Sequence, residues 1–153
     1  MSNRSATDTI KGYFYQFDYS ICQLLNLPLN TDQITVEGIE DVDIESLSRT
    51  TAVQCKYYSK TEYNHSVIAK PIRLMLSHFA ELKNNNSPVV QYHLYGHYKS
   101  GQNKLTLPID LIFLKDKLLT FRSGGIQKKH HIELGVDDSE LEECKYSDPY
   151  QKS

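Results

Sequence analysis

The sequence predicts an α/β domain whose elements follow one another in the order α-β-β-β-α-β. Three observations support this: a helix-spaced apolar series near the N-terminus, alternating polar and apolar residues between positions 33 and 58, and a second helical stripe followed by a strand at 89–98. The chain has 153 residues, of which 39% are hydrophobic, which is enough for one domain with a buried core. We expect that domain over residues 1–136, with its core at 7–98. An acidic tail, or the start of a following region, is expected over 137–153.

The first helix is predicted from Thr9 to about Leu27. Thr7 or Asp8 can cap its N-terminus, and Pro28 ends it because the residue before a proline disfavours the helical conformation. Its apolar residues recur three or four positions apart and are Ile10, Phe14, Phe17, Ile21, Leu24 and Leu25.

Three strands are predicted next, over 33–38, 40–46 and 50–58. Polar and apolar residues alternate cleanly in the second and third of these segments. We expect the two to form a hairpin whose turn centres on Leu47 and Ser48.

The register of this hairpin follows from the alternation of its side chains. A shift by one residue would bring every side chain to the wrong face, so the apolar residues select the register that pairs Val42 with Val53. The same register puts Asp41 opposite Gln54, with Lys56 on the same face.

The second half of the chain begins with another predicted helix. Pro71 suits the first turn of this helix, because N–H groups there form no hydrogen bond within the helix. The Asn-rich residues 84–88 are expected to end the helix. The remaining predicted elements are a strand over 89–98, a helix over 107–121, a break at 123–125, a short strand over 128–134 and a helix start in the DDSELEEC segment.

Composition excludes several classes of protein. No apolar run approaches the roughly 20 residues that cross a bilayer, and the N-terminus lacks the apolar segment of a secretory signal. Three cysteines without a C-x-x-C pair argue against a disulfide framework and a zinc site, so we expect a cytoplasmic protein. The net charge is −2, but residues 137–153 contain six acids and two lysines, so the rest is mildly basic around an acidic stretch between Glu37 and Glu45. That pattern is compatible with a metal-dependent phosphodiesterase.

The polar face of the hairpin carries a set of groups that phosphodiester hydrolysis can use. Mg²⁺ prefers oxygen ligands and is usually held by one or two carboxylates, so Asp41 is the natural ligand. Gln54 offers an amide oxygen, and the backbone carbonyl of Cys55 lies next to it. Lys56 projects from the same face, where an ammonium group can orient the attacking water or stabilise charge on the phosphate.

These residues also resemble a known family. The segments VEGIEDVDI and TAVQCKYY resemble the PD-(D/E)xK nuclease motif in its Q-x-K form, as in Mrr-like restriction enzymes. Together with GYFYQ in the first helix, they are similar to the N-terminal endonuclease domain of bacterial anti-phage effectors, of the CD-NTase-associated and NTPase-linked types. The resemblance covers roughly residues 5–98.

The resemblance implies a restriction-endonuclease-like fold, with an αβββαβ core and a mixed central sheet flanked by helices, in a single nuclease-like domain. It implies an Mg²⁺-dependent (or Mn²⁺-dependent) DNA endonuclease that acts in antiviral defence. Its implied partners are double-stranded DNA and either further copies of the chain or a sensor or NTPase module, without a membrane. The implied catalytic residues are Asp41, Gln54, Lys56 and Glu37, the auxiliary residues are Asp43, Gln16 and Tyr15, and the implied metal ligands are Asp41, Glu37 and the Cys55 backbone carbonyl.

Alternatives remain open at this point. Either Asp41 or Asp43 can be the principal metal ligand. Lys56 can simply pair with one of these acids across an exposed hairpin, and Cys55 fits core packing better than a role as nucleophile. The whole chain can also be a catalytically inactive nuclease fold for DNA binding or complex assembly, or an adaptor with no nucleic-acid role.

Overall fold

The chain is a mixed α/β protein, and its computed structural model describes residues 6–88 and 90–144. The chain divides into two compact units, the first comprising Met1–Thr61 with Val90–Lys99 and the second comprising Glu62–Val89 with Ser100–Ser153. In the described residues no helix has the length and apolar character needed to cross a membrane.

The first unit is a mixed four-stranded sheet preceded by a long helix. The elements of this unit are α1 (Ala6–Leu25), β1 (Gln33–Val36), β2 (Val42–Glu45), β3 (Thr50–Tyr58) and β4 (Gln91–Tyr98). The strands lie in the order β1-β2-β3-β4, with two antiparallel pairings followed by a parallel one between β3 and β4. Because a helix of the second unit separates β3 from β4 in sequence, the predicted order α-β-β-β-α-β is confirmed.

The hairpin register agrees with the sequence prediction. Val42 lies opposite Val53, and both side chains are fully buried. They form the centre of an apolar cluster with Tyr19 of α1, so this helix packs on the face of the sheet that carries the two valines. The partly buried members of the cluster are Ile34, Ile44, Cys55 and Tyr95.

Helix α1 does not bury its apolar stripe. Its buried residues are Gln16, Tyr19 and Ser20, whereas the stripe that predicted the helix is exposed. An amphipathic helix normally turns its apolar side to the core. The helical spacing therefore predicted the helix, but not the side on which it packs.

The second unit begins with α2 (His65–Asn84). Asn64 caps this helix, its side chain accepting a hydrogen bond from the backbone N–H of Val67 at 3.2 Å. The prediction that Pro71 lies in the first turn is wrong, because the cap starts the helix earlier and leaves the proline inside it.

The predicted helix over 107–121 is largely wrong. The α-helical part is only α3 (Leu111–Phe113), which continues as a π-helical turn over Leu114–Leu118. Asp110 sets the start by accepting a hydrogen bond from the Phe113 N–H at 2.7 Å, and the chain then enters β5 (Thr120–Ser123).

The predicted strand over 128–134 is also wrong for most of its length. Gly124 and Gly125 both have positive φ and form a tight turn, so β5 pairs directly with β6 (Ile126–Lys129). A short helix, α4 (His130–Glu133), follows at once.

The acidic segment near residue 140, which has the residues of a helix start, forms a short helix. This helix is α5 (Asp138–Cys144), and Leu141 within it is fully buried. The Asp137 carboxylate accepts a hydrogen bond from the Glu140 N–H at 2.9 Å, which is the expected capping interaction. Residues 145–153 of the predicted tail lie outside the described residues.

Candidate active site

The candidate site is built on the loop between β1 and β2, which we call the acidic loop (residues 37–41). The backbone N–H of Glu37 donates to the carbonyl of Asp41 at 2.8 Å and closes the loop. Glu37 has a φ of 57°, in the left-handed region that a non-glycine residue adopts at a cost of roughly 1 kcal/mol or more. Contacts between the loop and neighbouring residues must therefore offset the cost of this backbone conformation.

Asp43 of β2 makes some of these contacts. Its side chain is buried, and its two oxygens accept hydrogen bonds from the backbone N–H groups of Ile39 at 2.5 Å and Glu40 at 3.1 Å. A Cβ atom built at Gly38 would overlap the Asp43 carboxylate, so only glycine permits this close approach. Asp43 thus anchors the acidic loop.

Gln16 of α1 holds the same loop from the helix side. Its Nε2 donates to the Glu37 carboxylate at 2.8 Å and is 3.3 Å from the Asp41 carbonyl oxygen. The Gln16 side chain is buried, and the Ser20 hydroxyl donates to the Gln16 carbonyl at 2.8 Å. The sequence-predicted residues Gln16, Glu37 and Asp41 therefore lie together.

Asp41 connects the acidic loop to strand β3. Its Oδ2 accepts a hydrogen bond from the backbone N–H of Cys55 at 2.8 Å. The N–H and C=O of one strand residue point to the same side, so the Cys55 carbonyl turns toward the same edge of β3 as its N–H. Strand β2 begins only at Val42, and it is the Asp41 side chain, not a backbone carbonyl, that accepts this bond.

Lys56 and Gln54 follow on β3. Residues two apart share a face of a strand, so Gln54 and Lys56 lie on one face and Cys55 on the other. The observed β2–β3 pairing ends with Val42 and Val53, and Asp41 lies in the acidic loop before β2 begins. Both Gln54 and Lys56 are half-buried.

The electrostatics of the site are dominated by desolvated acids. Burial raises the pKa of Asp41, the Cys55 N–H opposes this rise, and the neighbouring Glu37 charge adds to it. The pKa of Glu40 is also raised, first by burial and then by the charges of Asp41 and Asp43. The positive charge of the Lys56 ammonium opposes both of these rises, although it does not cancel them. Burial is thus the main cause of the raised pKa of both acids, and the neighbouring carboxylates add to it.

Lys56 affects the pKa of Asp41 and Glu40 without forming an ion pair with either of them. In the part of the chain that the structure describes, the ion pairs involve other lysines, and none includes Lys56. Its ammonium group acts on two carboxylates at longer range, which differs from the simple cross-strand ion pair that the sequence also allowed.

Tyr15, which the family resemblance implies as an auxiliary site residue, lies among aromatic side chains. Its ring stacks on Tyr95 with a centroid distance of 4.9 Å and contacts Tyr57 at 5.2 Å and His97 at 6.4 Å. Burial and the adjacent Tyr95 raise the pKa of Tyr15. The tyrosine therefore belongs to an aromatic cluster between α1 and the sheet.

Cys55 packs in the core of the unit. Burial, followed by the charge of Asp41, raises the pKa of its thiol to about 12, so the thiolate is strongly disfavoured near neutral pH. Its side chain contacts the apolar cluster around Val42 and Val53.

The oxygen donors at the site suit a hard cation such as Mg²⁺. Asp41, Glu37 and Glu40 are carboxylates, and a cation would stabilise the ionised forms of Asp41 and Glu40, which burial and, secondarily, the neighbouring acids disfavour. Among residues 6–88 and 90–144, no three or more acidic, histidine or cysteine side chains converge as a preformed metal-binding group.

Sequence reasoning missed two features of this site. The sequence predicts Glu40 at the start of a strand and among the acids of the hairpin, but Glu40 lies in the acidic loop before β2, where burial, followed by the charges of Asp41 and Asp43, raises its pKa. Asp43 was considered as a metal ligand, but its oxygens are engaged by the loop backbone. The glycine at position 38, three residues before Asp41, was the signal for a loop at this point.

Comparison with known proteins gives no match to this chain, whether with protein-family models, with curated proteins or with solved structures.

Proposed function

We propose that this chain is an Mg²⁺-dependent DNA endonuclease with a restriction-endonuclease-like fold. The observation that carries the proposal is that Asp41 and Glu37 lie on one loop and that hydrogen bonds from Gln16 of α1 and from the Cys55 N–H of β3 hold their carboxylates. The element order and the mixed sheet are consistent with this fold.

Asp41 and Glu37 would hold the cation, with the Cys55 carbonyl at the same strand edge as a third oxygen. When bound, Mg²⁺ supplies stabilisation of the negative charge that develops on the phosphate. Gln16 orients the Glu37 carboxylate through its 2.8 Å hydrogen bond, and the Cys55 N–H orients that of Asp41. Both carboxylates are thereby positioned before substrate arrives, which lowers the cost of assembling the site.

Lys56 has the clearest role toward the substrate. Its ammonium group donates hydrogen bonds to the attacking water or to a phosphate oxygen, and its positive charge opposes the charge that builds up as the phosphodiester breaks. Gln54, on the same face of β3, offers an amide that can bind the same water or phosphate. We further propose double-stranded DNA as the substrate and anti-phage defence in the cytoplasm as the setting, both from the family resemblance.

The test is cleavage of supercoiled plasmid by the purified chain. We expect nicking or linearisation with Mg²⁺ or Mn²⁺, none with EDTA, and a loss of at least about a hundredfold in Asp41→Asn and Lys56→Ala. The matched control is Lys60→Ala, because Lys60 lies on the same sequence segment but is exposed and pairs with Asp8. Folding of each variant is checked by far-ultraviolet circular dichroism.

Two outcomes would contradict the proposal. Cleavage that survives EDTA, or that is retained by Asp41→Asn, would remove the metal site. Salt-dependent retention on DNA without any cleavage, unaffected by Lys56→Ala, would instead favour an inactive nuclease fold that serves as a DNA-binding or assembly module.

A further inference from the structure

The exposed side of α1 is an uninterrupted apolar surface, which we call the α1 stripe. Its seven large side chains are each between 45% and 80% exposed. Two of them, Tyr13 and Phe17, already stack on each other with a centroid distance of 6.3 Å. The members of the stripe are Ile10, Tyr13, Phe14, Phe17, Ile21, Leu24 and Leu25.

The stripe lies opposite the side of α1 that packs on the sheet. At 100° per residue, the centre of the stripe is roughly 120° around the helix from the buried Gln16 and roughly 180° from the buried Tyr19, while the buried Ser20 lies nearer to the border of the stripe. The helix thus uses a polar and aromatic side for its own unit and leaves its most apolar side to solvent. Large contiguous apolar patches of this kind mark interaction sites.

The size of the stripe fits an interface between two protein chains. With roughly 200 Å² of surface for a large apolar side chain, the exposed fractions correspond to roughly 800 Å². A standard protein–protein interface buries about this area on each partner.

The charges beside the stripe favour a second copy of the same chain. Lys11 and Asp18 are two helical turns apart on one border of the stripe, and both are exposed. Neither forms an ion pair within the described residues. When two copies of one helix pack antiparallel about a two-fold axis, each border faces itself, so Lys11 of each copy meets Asp18 of the other. The axis then passes beside Phe14, which belongs to the stripe.

We propose that the α1 stripe is the interface of an antiparallel, two-fold symmetric dimer of this chain. The inference rests on α1 alone and is independent of the proposed nuclease activity. The α1 stripe and the sheet-packing side of the helix are different surfaces, so the dimer leaves the contacts of Gln16 with the acidic loop in place.

The first experiment measures the mass of the purified full chain by sedimentation velocity over a range of concentrations. We expect a dimer at about 50 µM, and a shift to monomer in Phe14→Glu that corresponds to a dissociation constant at least about a hundredfold weaker. The matched control is Leu47→Glu, because Leu47 is 88% exposed in the β2–β3 turn and lies off the stripe. A monomeric wild-type chain at all concentrations, or a dimer that Phe14→Glu leaves intact, would overturn the proposal.

The second experiment tests the orientation of the dimer without changing its apolar residues. Lys11→Asp or Asp18→Lys alone places like charges across the axis twice, so we expect each to weaken the dimer by roughly tenfold. Mixing these two variants restores opposite charges at both contacts and should give a heterodimer near the wild-type affinity. A mixture no tighter than either variant alone would refute the antiparallel pairing, as would single variants that dimerise like the wild type. Far-ultraviolet circular dichroism confirms that all variants are folded.

Discussion

Asp41 and Asp43 lie two residues apart, and we predict opposite consequences for removing their charges. Asp43 is buried and accepts two backbone hydrogen bonds from the acidic loop. In Asp43→Asn, the amide oxygen can keep one of these bonds, but the amide nitrogen then faces the second backbone N–H. Hydrogen bonds to charged groups contribute about 1.5–3 kcal/mol each, and an unpaired buried donor adds its desolvation penalty. We therefore expect the free energy of unfolding to fall by about 2–4 kcal/mol.

Asp41→Asn should behave differently. The amide oxygen of the new side chain can still accept the hydrogen bond from the Cys55 N–H. The substitution also removes a carboxyl group whose pKa is raised by burial and by the charge of Glu37. A raised carboxyl pKa means that the ionised form is disfavoured in the folded state, so the neutral variant should be as stable as the wild type or more stable near neutral pH. Its cost should appear in DNA cleavage alone.

Urea unfolding monitored by circular dichroism distinguishes the two variants. With a denaturant dependence of about 2 kcal/mol per molar urea, Asp43→Asn should lower the midpoint by about 1–2 M, while Asp41→Asn leaves it unchanged or raises it. Glu45→Gln is the matched control, because Glu45 lies on the same strand and face, and we expect an effect below about 0.5 kcal/mol. An unchanged midpoint in Asp43→Asn would refute the loop-anchoring role, and a large loss in Asp41→Asn would refute the charge argument.

Three further predictions concern a close approach in the acidic loop and two buried side chains. Gly38→Ala should lose about 1–3 kcal/mol in urea unfolding, because its new methyl group would overlap the Asp43 carboxylate; unchanged stability would contradict that close approach. Burial, and secondarily the charge of Arg49, lower the pKa of His93 to about 4. The unfolded chain then binds the proton more tightly, so His93 should reduce stability by up to about 3 kcal/mol as the pH falls from about 6.5 to 4, and His93→Gln should lack this part of the pH dependence. Leu141→Ala should lower the thermal unfolding temperature, with a loss of about 2–5 kcal/mol, because its side chain is fully buried; an unchanged transition would mean that α5 contributes no packing.

The strands near the site were predictable because their pattern is local and strict. Alternation over residues 50–58 predicted β3 with the bounds that it has, and the turn at Leu47 and Ser48 led to the observed pairing of Val42 with Val53. The starts of two helices were predicted wrongly, because a capping side chain, and not the first apolar residue of the pattern, determines where each helix begins. Asn64 starts α2 before Pro71, and Asp110 delays α3.

The sequence by itself determined which polar groups share the β2–β3 hairpin, because a two-residue period and a short turn leave one register that buries the valines. Only the tertiary structure decided what those groups do. Asp43 anchors the acidic loop through hydrogen bonds from its backbone, and Asp41 accepts a hydrogen bond from β3. Both interactions depend on the conformation of residues 37–41, which the alternation of polar and apolar residues does not predict. The buried side of α1 was likewise decided by Gln16 and Tyr19 finding partners on the loop and the sheet, against the apolar pattern of the helix.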